Sequence, residues 1–199
     1  MTTSNFTSLL ESQQFSRYVM YLSHIDFVDA WFHAKSYTNE KIIEFGGSNQ
    51  FVKTVFNSQH YEIAGNYPGV DIQNLEEQEN EYYDFVILDE ILEHVKNPQM
   101  AISEVYRILK MGGWLITSSP FLVRIHKCPS DYWRFSEEGL ASLLSCFSEV
   151  ELNSWGNKKA VEIILDNIMI SIMDARRHKD FSLVNNKRFP VTVWAYARK

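Results

Sequence analysis

An unbroken apolar run, Phe85-Val86-Ile87-Leu88, sits between Asp84 and the acidic pair Asp89 and Glu90. Consecutive apolar residues bounded by charge suit a strand buried on both faces of a parallel sheet, where no polar face needs water. The two acids then fall at the carboxyl end of that strand, the edge at which open α/β sheets bind ligands. Asn97 and Pro98 read as the N-cap and first residue of a helix. Ala101, Ile102, Val105, Ile108 and Leu109 follow at helical spacing, with Lys110 in the last turn. Gly112 and Gly113 close the helix, and Trp114 to Thr117 opens a second apolar strand. Strand, loop, helix, turn and strand in this order predict a doubly wound α/β sheet.

A second such unit lies upstream. The run Lys41-Ile42-Ile43-Glu44-Phe45-Gly46-Gly47-Ser48-Asn49 reads as a strand entering a glycine turn. Phe51, Val52, Val55 and Phe56 then repeat at helical spacing. Glycine lets the backbone approach a ligand closely, and the free N–H groups of the helix start face the same place. Tyr61-Glu62-Ile63-Ala64 and Gly69-Val70-Asp71-Ile72 are candidate strands two and three.

Composition narrows what such a chain does. The 199 residues suit one domain, and 45% hydrophobic content excludes extended disorder. A net charge of −6 argues against nucleic acid as the partner, since binding a phosphate backbone needs a basic face. Cys128 and Cys146 form no ligand or disulfide framework, so no metal is expected and a reducing cytoplasmic compartment fits. The start of the chain lacks the basic and apolar regions of a signal peptide, and residues 161–173 are too short and too polar to span a membrane.

The longer segment resembles a known family. Asp84-Phe85-Val86-Ile87, Leu92-Glu93-His94-Val95, Pro98, Arg107-Ile108-Leu109-Lys110 and Gly112-Gly113 are similar to the fourth-to-fifth-strand region of class I S-adenosylmethionine-dependent methyltransferases, in their small-molecule "type 11" group. Met111 stands where that group usually has proline. The run His126, Pro129, Asp131-Tyr132-Trp133-Arg134-Phe135 resembles the same group. The resemblance implies a single domain, residues 1–199, with a mostly parallel seven-stranded sheet closed by an antiparallel strand. Residues 1–38 would form a helical lid or cover, and residues 39–199 the sheet core.

It also implies S-adenosylmethionine as cofactor and a small-molecule methyl acceptor. Glu44, Phe45, Gly46 and Gly47 would cradle the methionine end, with Glu44 holding the ammonium directly or through water. Leu88, Asp89 and Glu90 would flank the adenosine. Such sites place an acid for the ribose about 20 positions past the glycine loop. Asn66 stands near that point and is assigned to the ribose, with Asn74 and Leu75 near the adenine; Asp71 is acidic but lies further on, and if it closed strand two almost no chain would remain for a third. Ser48 and Gln50 occupy places where further glycine is usual.

The acceptor side rests on two other segments. Residues 6–35 read as one or two helices rich in aromatics, among them Phe15, Tyr18, Tyr21 and Phe27, able to cap the ligand edge or to cover one face of the sheet. His24 and His33 read as solvated or capping residues. After the fifth strand, His126 is the candidate catalytic group, because a histidine near neutrality can take a proton from an acceptor hydroxyl or amine. Asp131, Trp133 and Arg134 would lock its loop, and His94 would support the loop before it. Ser136 caps the helix carrying Leu140, Leu143 and Leu144; residues 148–152 and 191–197 are strands, and residues 161–173 one long amphipathic helix. Two alternatives remain: a methyltransferase-like protein that binds cofactor or partner without catalysis, and a nicotinamide-dependent oxidoreductase. Against the latter, Gly46-Gly47-Ser48-Asn49 is not Gly-x-Gly-x-x-Gly and no Tyr-x-x-x-Lys pair is present.

Overall fold

The computed structural model describes residues 3–32, 39–46, 50–56, 58–65, 69–127 and 129–199. Gly47, Ser48, Asn66, His33 and Cys128 lie outside these described residues. Two helices, α1 (Thr3–Glu11) and α2 (Tyr18–Phe32), precede the sheet. Then come β1 (Lys41–Phe45), α3 (Gln50–Phe56), β2 (His60–Ile63) and β3 (Tyr83–Leu88). A 3₁₀ turn at Leu92–His94 leads into α4 (Pro98–Ile108) and β4 (Leu109–Pro120). The chain finishes with α5 (Glu137–Leu143), β5 (Glu149–Trp155), α6 (Lys158–Asp166), α7 (Ile172–Ala175) and β6 (Thr192–Arg198).

The sheet order is β2-β1-β3-β4-β6-β5. β1 pairs in parallel with β2 and β3, and β3 with β4; β6 runs antiparallel between β4 and β5. The apolar run of β3 is thus central and buried on both sides, as its composition requires. Alternation sorts its side chains: Phe85 and Ile87 join the core beneath α2, α3 and α6, whereas Val86 and Leu88 join the core beneath α4 and α5. β6 divides likewise, with Trp194 and Tyr196 on the first face and Val193, Ala195 and Ala197 on the second.

Among the described residues the sheet has six strands where seven are expected. Residues 69–72 are not a strand, because their polar groups are satisfied locally. The Asp71 carboxylate accepts the Gln73 N–H at 3.0 Å, and the Asp71 carbonyl accepts the Asn74 N–H at 2.9 Å. That is an Asx-type turn, and it competes directly with strand pairing. The α4 helix also ends earlier than expected, at Ile108. Asn97 caps its start as anticipated, accepting from the Met100 N–H at 3.3 Å. Lys110 belongs to β4, where its ammonium meets Asp84 at 2.6 Å. Register along β3 jumps from Tyr83↔Leu109 to Phe85↔Trp114, so residues 110–113 bulge out of the pairing, with Gly112 at φ 77°.

The long helix over residues 161–173 is instead two pieces. The Asn167 side chain accepts from the Met169 N–H at 3.1 Å, and Ser171 caps α7 by accepting from the Asp174 N–H at 3.0 Å. Helix-stopping side chains thus override an apolar periodicity that continues through them.

The N-terminal aromatics cover the sheet. Phe15 packs edge-on against Trp155 at 5.2 Å, and Phe27 stacks on Tyr196 at 3.9 Å. His24 is buried rather than solvated: its Nδ1 lies 2.8 Å from the Tyr196 hydroxyl, and burial lowers its pKa to about 4. The segment between α1 and α2 is also strapped across the sheet edge. The Phe15 N–H donates to the Ile170 carbonyl at 2.8 Å, and the Ile172 N–H to the Gln13 carbonyl at 2.9 Å. Among the described residues, no helix is long and apolar enough to cross a membrane.

Candidate active site

A cavity of about 860 Å³ opens at the carboxyl ends of β1 and β3. Chain order reverses there, because β2 lies on one side of β1 and β3 on the other. A cleft at such a switch point is the usual ligand site of open α/β sheets. Glu44, Phe45 and Gly46 form one wall. Gly46 has φ 107°, a conformation that suits glycine, and its N–H donates to the Gly65 carbonyl at 3.1 Å. The buried Glu44 carboxylate accepts from the Tyr61 hydroxyl at 2.6 Å.

Asp89 and Glu90 form the facing wall. Asp89 accepts from the Tyr21 hydroxyl at 2.7 Å and the Ser118 hydroxyl at 2.8 Å, and Arg17 approaches it at 3.4 Å. Burial alone would favour the neutral acid; Arg17 and the two hydroxyls outweigh it and hold the pKa below the ordinary value. Glu90 adopts φ 53°, its N–H donates to the Ser118 hydroxyl at 2.9 Å, and its carboxylate pairs with Arg17. Arg17 comes from the break between α1 and α2 and Tyr21 from α2, so the N-terminal cover reaches the ligand edge through both side chains. Burial opposes its charge, but Glu90 and Asp89 keep the guanidinium protonated.

His94 and His126 also line the cavity, and the buried Glu93 carboxylate lies beside them. Glu93 lies in the 3₁₀ turn, and its side chain has 0% exposure. Its carbonyl accepts from the Tyr132 N–H at 2.7 Å, which ties the turn to the loop after β4. Neither of its carboxylate oxygens accepts a hydrogen bond from the described residues. Two imidazole nitrogens lie beside it, His94 Nε2 at 3.5 Å and His126 Nε2 at 3.8 Å. Burial, then the nearby Glu90, pushes the Glu93 pKa well above the usual carboxylate value. His94 Nδ1 is hydrogen-bonded to the Ser130 carbonyl. Burial lowers the His126 pKa, and Asp131 partly offsets that.

Asp131 organises the loop that carries His126. It accepts the His126 N–H at 2.8 Å and pairs through both oxygens with Arg134, one contact at 2.8 Å. The Arg134 hydrogen bond is the main reason its pKa falls to about 2. Trp133 anchors the loop differently, donating its indole N–H to the Val95 carbonyl at 2.9 Å and stacking on Phe135.

Of the residues singled out from the sequence, Glu44, Phe45, Gly46, Asp89, Glu90 and His126 line this one cavity. Leu88 does not: its side chain is fully buried in the core beneath α4. Leu75 is buried too, its N–H donating to Glu104 at 2.9 Å and its carbonyl accepting from Arg107 at 2.7 Å. Asn74 lies just past the cavity wall, which is built by Asp71, Ile72 and Gln73. Arg17 was not singled out in the sequence, and Glu93 was noted only as part of the Leu92-Glu93-His94-Val95 motif, with no role at the site. Arg17 stands alone in a polar break, and Glu93 gains its meaning only from the distant His126.

Comparison with known proteins agrees with this architecture. Residues 34–117 match the methyltransferase domain family, the type 11 group. The fold is that of a S-adenosylmethionine-dependent methyltransferase from Thermotoga maritima, at TM-score 0.57 and 14% identity over 98% of this chain and 94% of that one. Phosphoethanolamine N-methyltransferase 2 of Haemonchus contortus, in complex with phosphomonomethylethanolamine and S-adenosylhomocysteine, matches at TM-score 0.55 and 13% identity, covering 88% of this chain and 52% of that one. Among curated sequences, polyketide synthase 5 of Dictyostelium discoideum is 28% identical over 116 residues, 53% of this chain; the aligned part is 5% of that protein's length. Fold and family match together define a Rossmann-like methyltransferase. The family match covers 84 of the 199 residues, and the fold is the one these S-adenosylmethionine-dependent methyltransferases share.

Proposed function

We propose that this chain transfers the methyl group of S-adenosylmethionine to a small-molecule acceptor that enters beside His126. The observation that carries this reading is one cavity lined by Gly46 after β1, by the acids after β3 and by His94 and His126. Its size is within the range of small-molecule sites. Glu44, Asp89 and Glu90 line it. Their charge suits a cofactor carrying both an ammonium and a sulfonium. On this reading Gly46 and Glu44 take the methionine end, Asp71 takes the ribose hydroxyls, and Asp89 and Glu90 flank the adenosine; that all five line the cavity supports it.

When bound, the cofactor supplies an electrophilic methyl, so the protein's own work is alignment and proton management. His126 lies on the far side from the glycine turn and is a quarter exposed, open to an incoming acceptor. The Haemonchus relative, whose complex contains a small phosphorylated amine, supports an acceptor of metabolite size. The acidic balance of the chain supports the same choice over nucleic acid. Incubation with methyl-labelled S-adenosylmethionine and a metabolite library tests this. Label in a low-molecular-weight product is expected; label found only in RNA, DNA or protein would contradict it.

A further inference from the structure

We propose that Glu93, His94 and His126 form a mononuclear site for a divalent transition-metal ion of the zinc type, with its open positions facing the cavity. One ligand atom from each residue lies within 4.8 Å of the others. The Glu93 carboxylate stands 3.5 Å from His94 Nε2 and 3.8 Å from His126 Nε2. Ligands about 2.1 Å from a tetrahedral zinc ion are about 3.4 Å apart, so small side-chain movements close the set.

Three further features point to a cation. Glu93 is fully buried, yet neither oxygen accepts a hydrogen bond from the described residues, a costly arrangement for a carboxylate without a counter-ion. The ring nitrogens are presented correctly. His94 Nδ1 is engaged by the Ser130 carbonyl, which leaves Nε2 as the lone-pair donor. His126 Nδ1 lies 3.3 Å from the Asp131 carboxylate without a hydrogen bond, and its Nε2 stands toward Glu93. An acceptor on the outer nitrogen, as His94 has, is the usual support of a metal-ligating histidine, fixing tautomer and ring orientation. Arg17, the nearby guanidinium, is committed to Asp89 and Glu90 and makes no ion pair with Glu93 among the described residues.

Two histidines and one carboxylate leave coordination positions open. On the proposed methyltransferase reading, those positions would take an acceptor oxygen, and His126 would then assist with the acceptor proton through the ion it holds, which would lower the proton affinity of a bound hydroxyl, rather than as a free base. Ion binding itself does not depend on that reading.

The test is cobalt titration of chelator-stripped protein, followed by visible ligand-field absorption, with zinc competition and metal analysis of the reloaded protein. One equivalent of cobalt, displaced by zinc, is expected. His126→Ala and Glu93→Gln should each weaken cobalt binding at least tenfold. Calorimetry with S-adenosylhomocysteine and thermal melting of the same variants establish that the fold and cofactor site persist. Wild-type protein that takes up less than a tenth of an equivalent would overturn the proposal. So would unchanged cobalt affinity in a folded His126→Ala variant. Cofactor binding that persists while cobalt fails would sink the metal site alone.

Discussion

At the scale of single residues, two histidines, His126 partly exposed and His24 buried, set different requirements. On the proposed reading His126 serves the acceptor and not the cofactor. Replacing it with alanine should lower kcat by about 10²–10⁴-fold, the usual range for help with an acceptor proton. S-adenosylhomocysteine affinity, measured by calorimetry, should stay nearly constant. His24 matters for stability. Its pKa is about 4 in the folded protein against 6.5 unperturbed. Above 6.5 both folded and unfolded states are neutral there, so no pH dependence arises. As pH falls through the window from 6.5 to 4, the unfolded imidazole takes up a proton that the buried one refuses, and stability drops. The loss at the bottom of that window is on the order of 3 kcal/mol. Urea midpoints measured from neutral to mildly acidic pH should therefore decline, and His24→Gln should flatten that decline.

At the scale of elements, the loop from β4 to α5 is held as one unit by Asp131. That side chain joins the His126 backbone to the Arg134 guanidinium and is nearly fully buried. Arg134→Ala leaves this carboxylate short of its main partner, at a cost of about 1–3 kcal/mol. The melting temperature should fall by several degrees, together with turnover, while cofactor affinity changes little. Elements also show what the sequence made legible. The strand around Phe85 to Leu88, the Asn97 cap, the Ser136 cap and the last antiparallel strand follow from local patterns that the fold then uses. The misreadings arise where side chains intercept backbone groups. Asp71 turns the chain where a third strand was expected, and Asn167 with Ser171 breaks the long helix. Lys110 fits a helix end by position, but in space its charge is drawn to Asp84. The site was legible where its residues close a strand, as with Glu44 and Asp89. Arg17 and Glu93 were hidden, because their partners lie on remote segments.

At the scale of the whole molecule, the N-terminal helices, the six-stranded sheet and the loop after β4 converge on one cavity. Gly46 is its pivot. A β-branched residue at φ 107° would be strained by roughly 1–3 kcal/mol and would place carbon beside the methionine end of the cofactor. Gly46→Val should therefore abolish cofactor binding while far-UV circular dichroism still reports a folded chain. The central claim, that this cavity is a S-adenosylmethionine site, is met most directly by calorimetric titration of the wild-type chain with S-adenosylhomocysteine, with NADH as comparator. One-to-one binding of S-adenosylhomocysteine, absent for NADH and lost in Gly46→Val, is the predicted result. Binding of NADH alone, or S-adenosylhomocysteine binding that survives Gly46→Val unchanged, would contradict it.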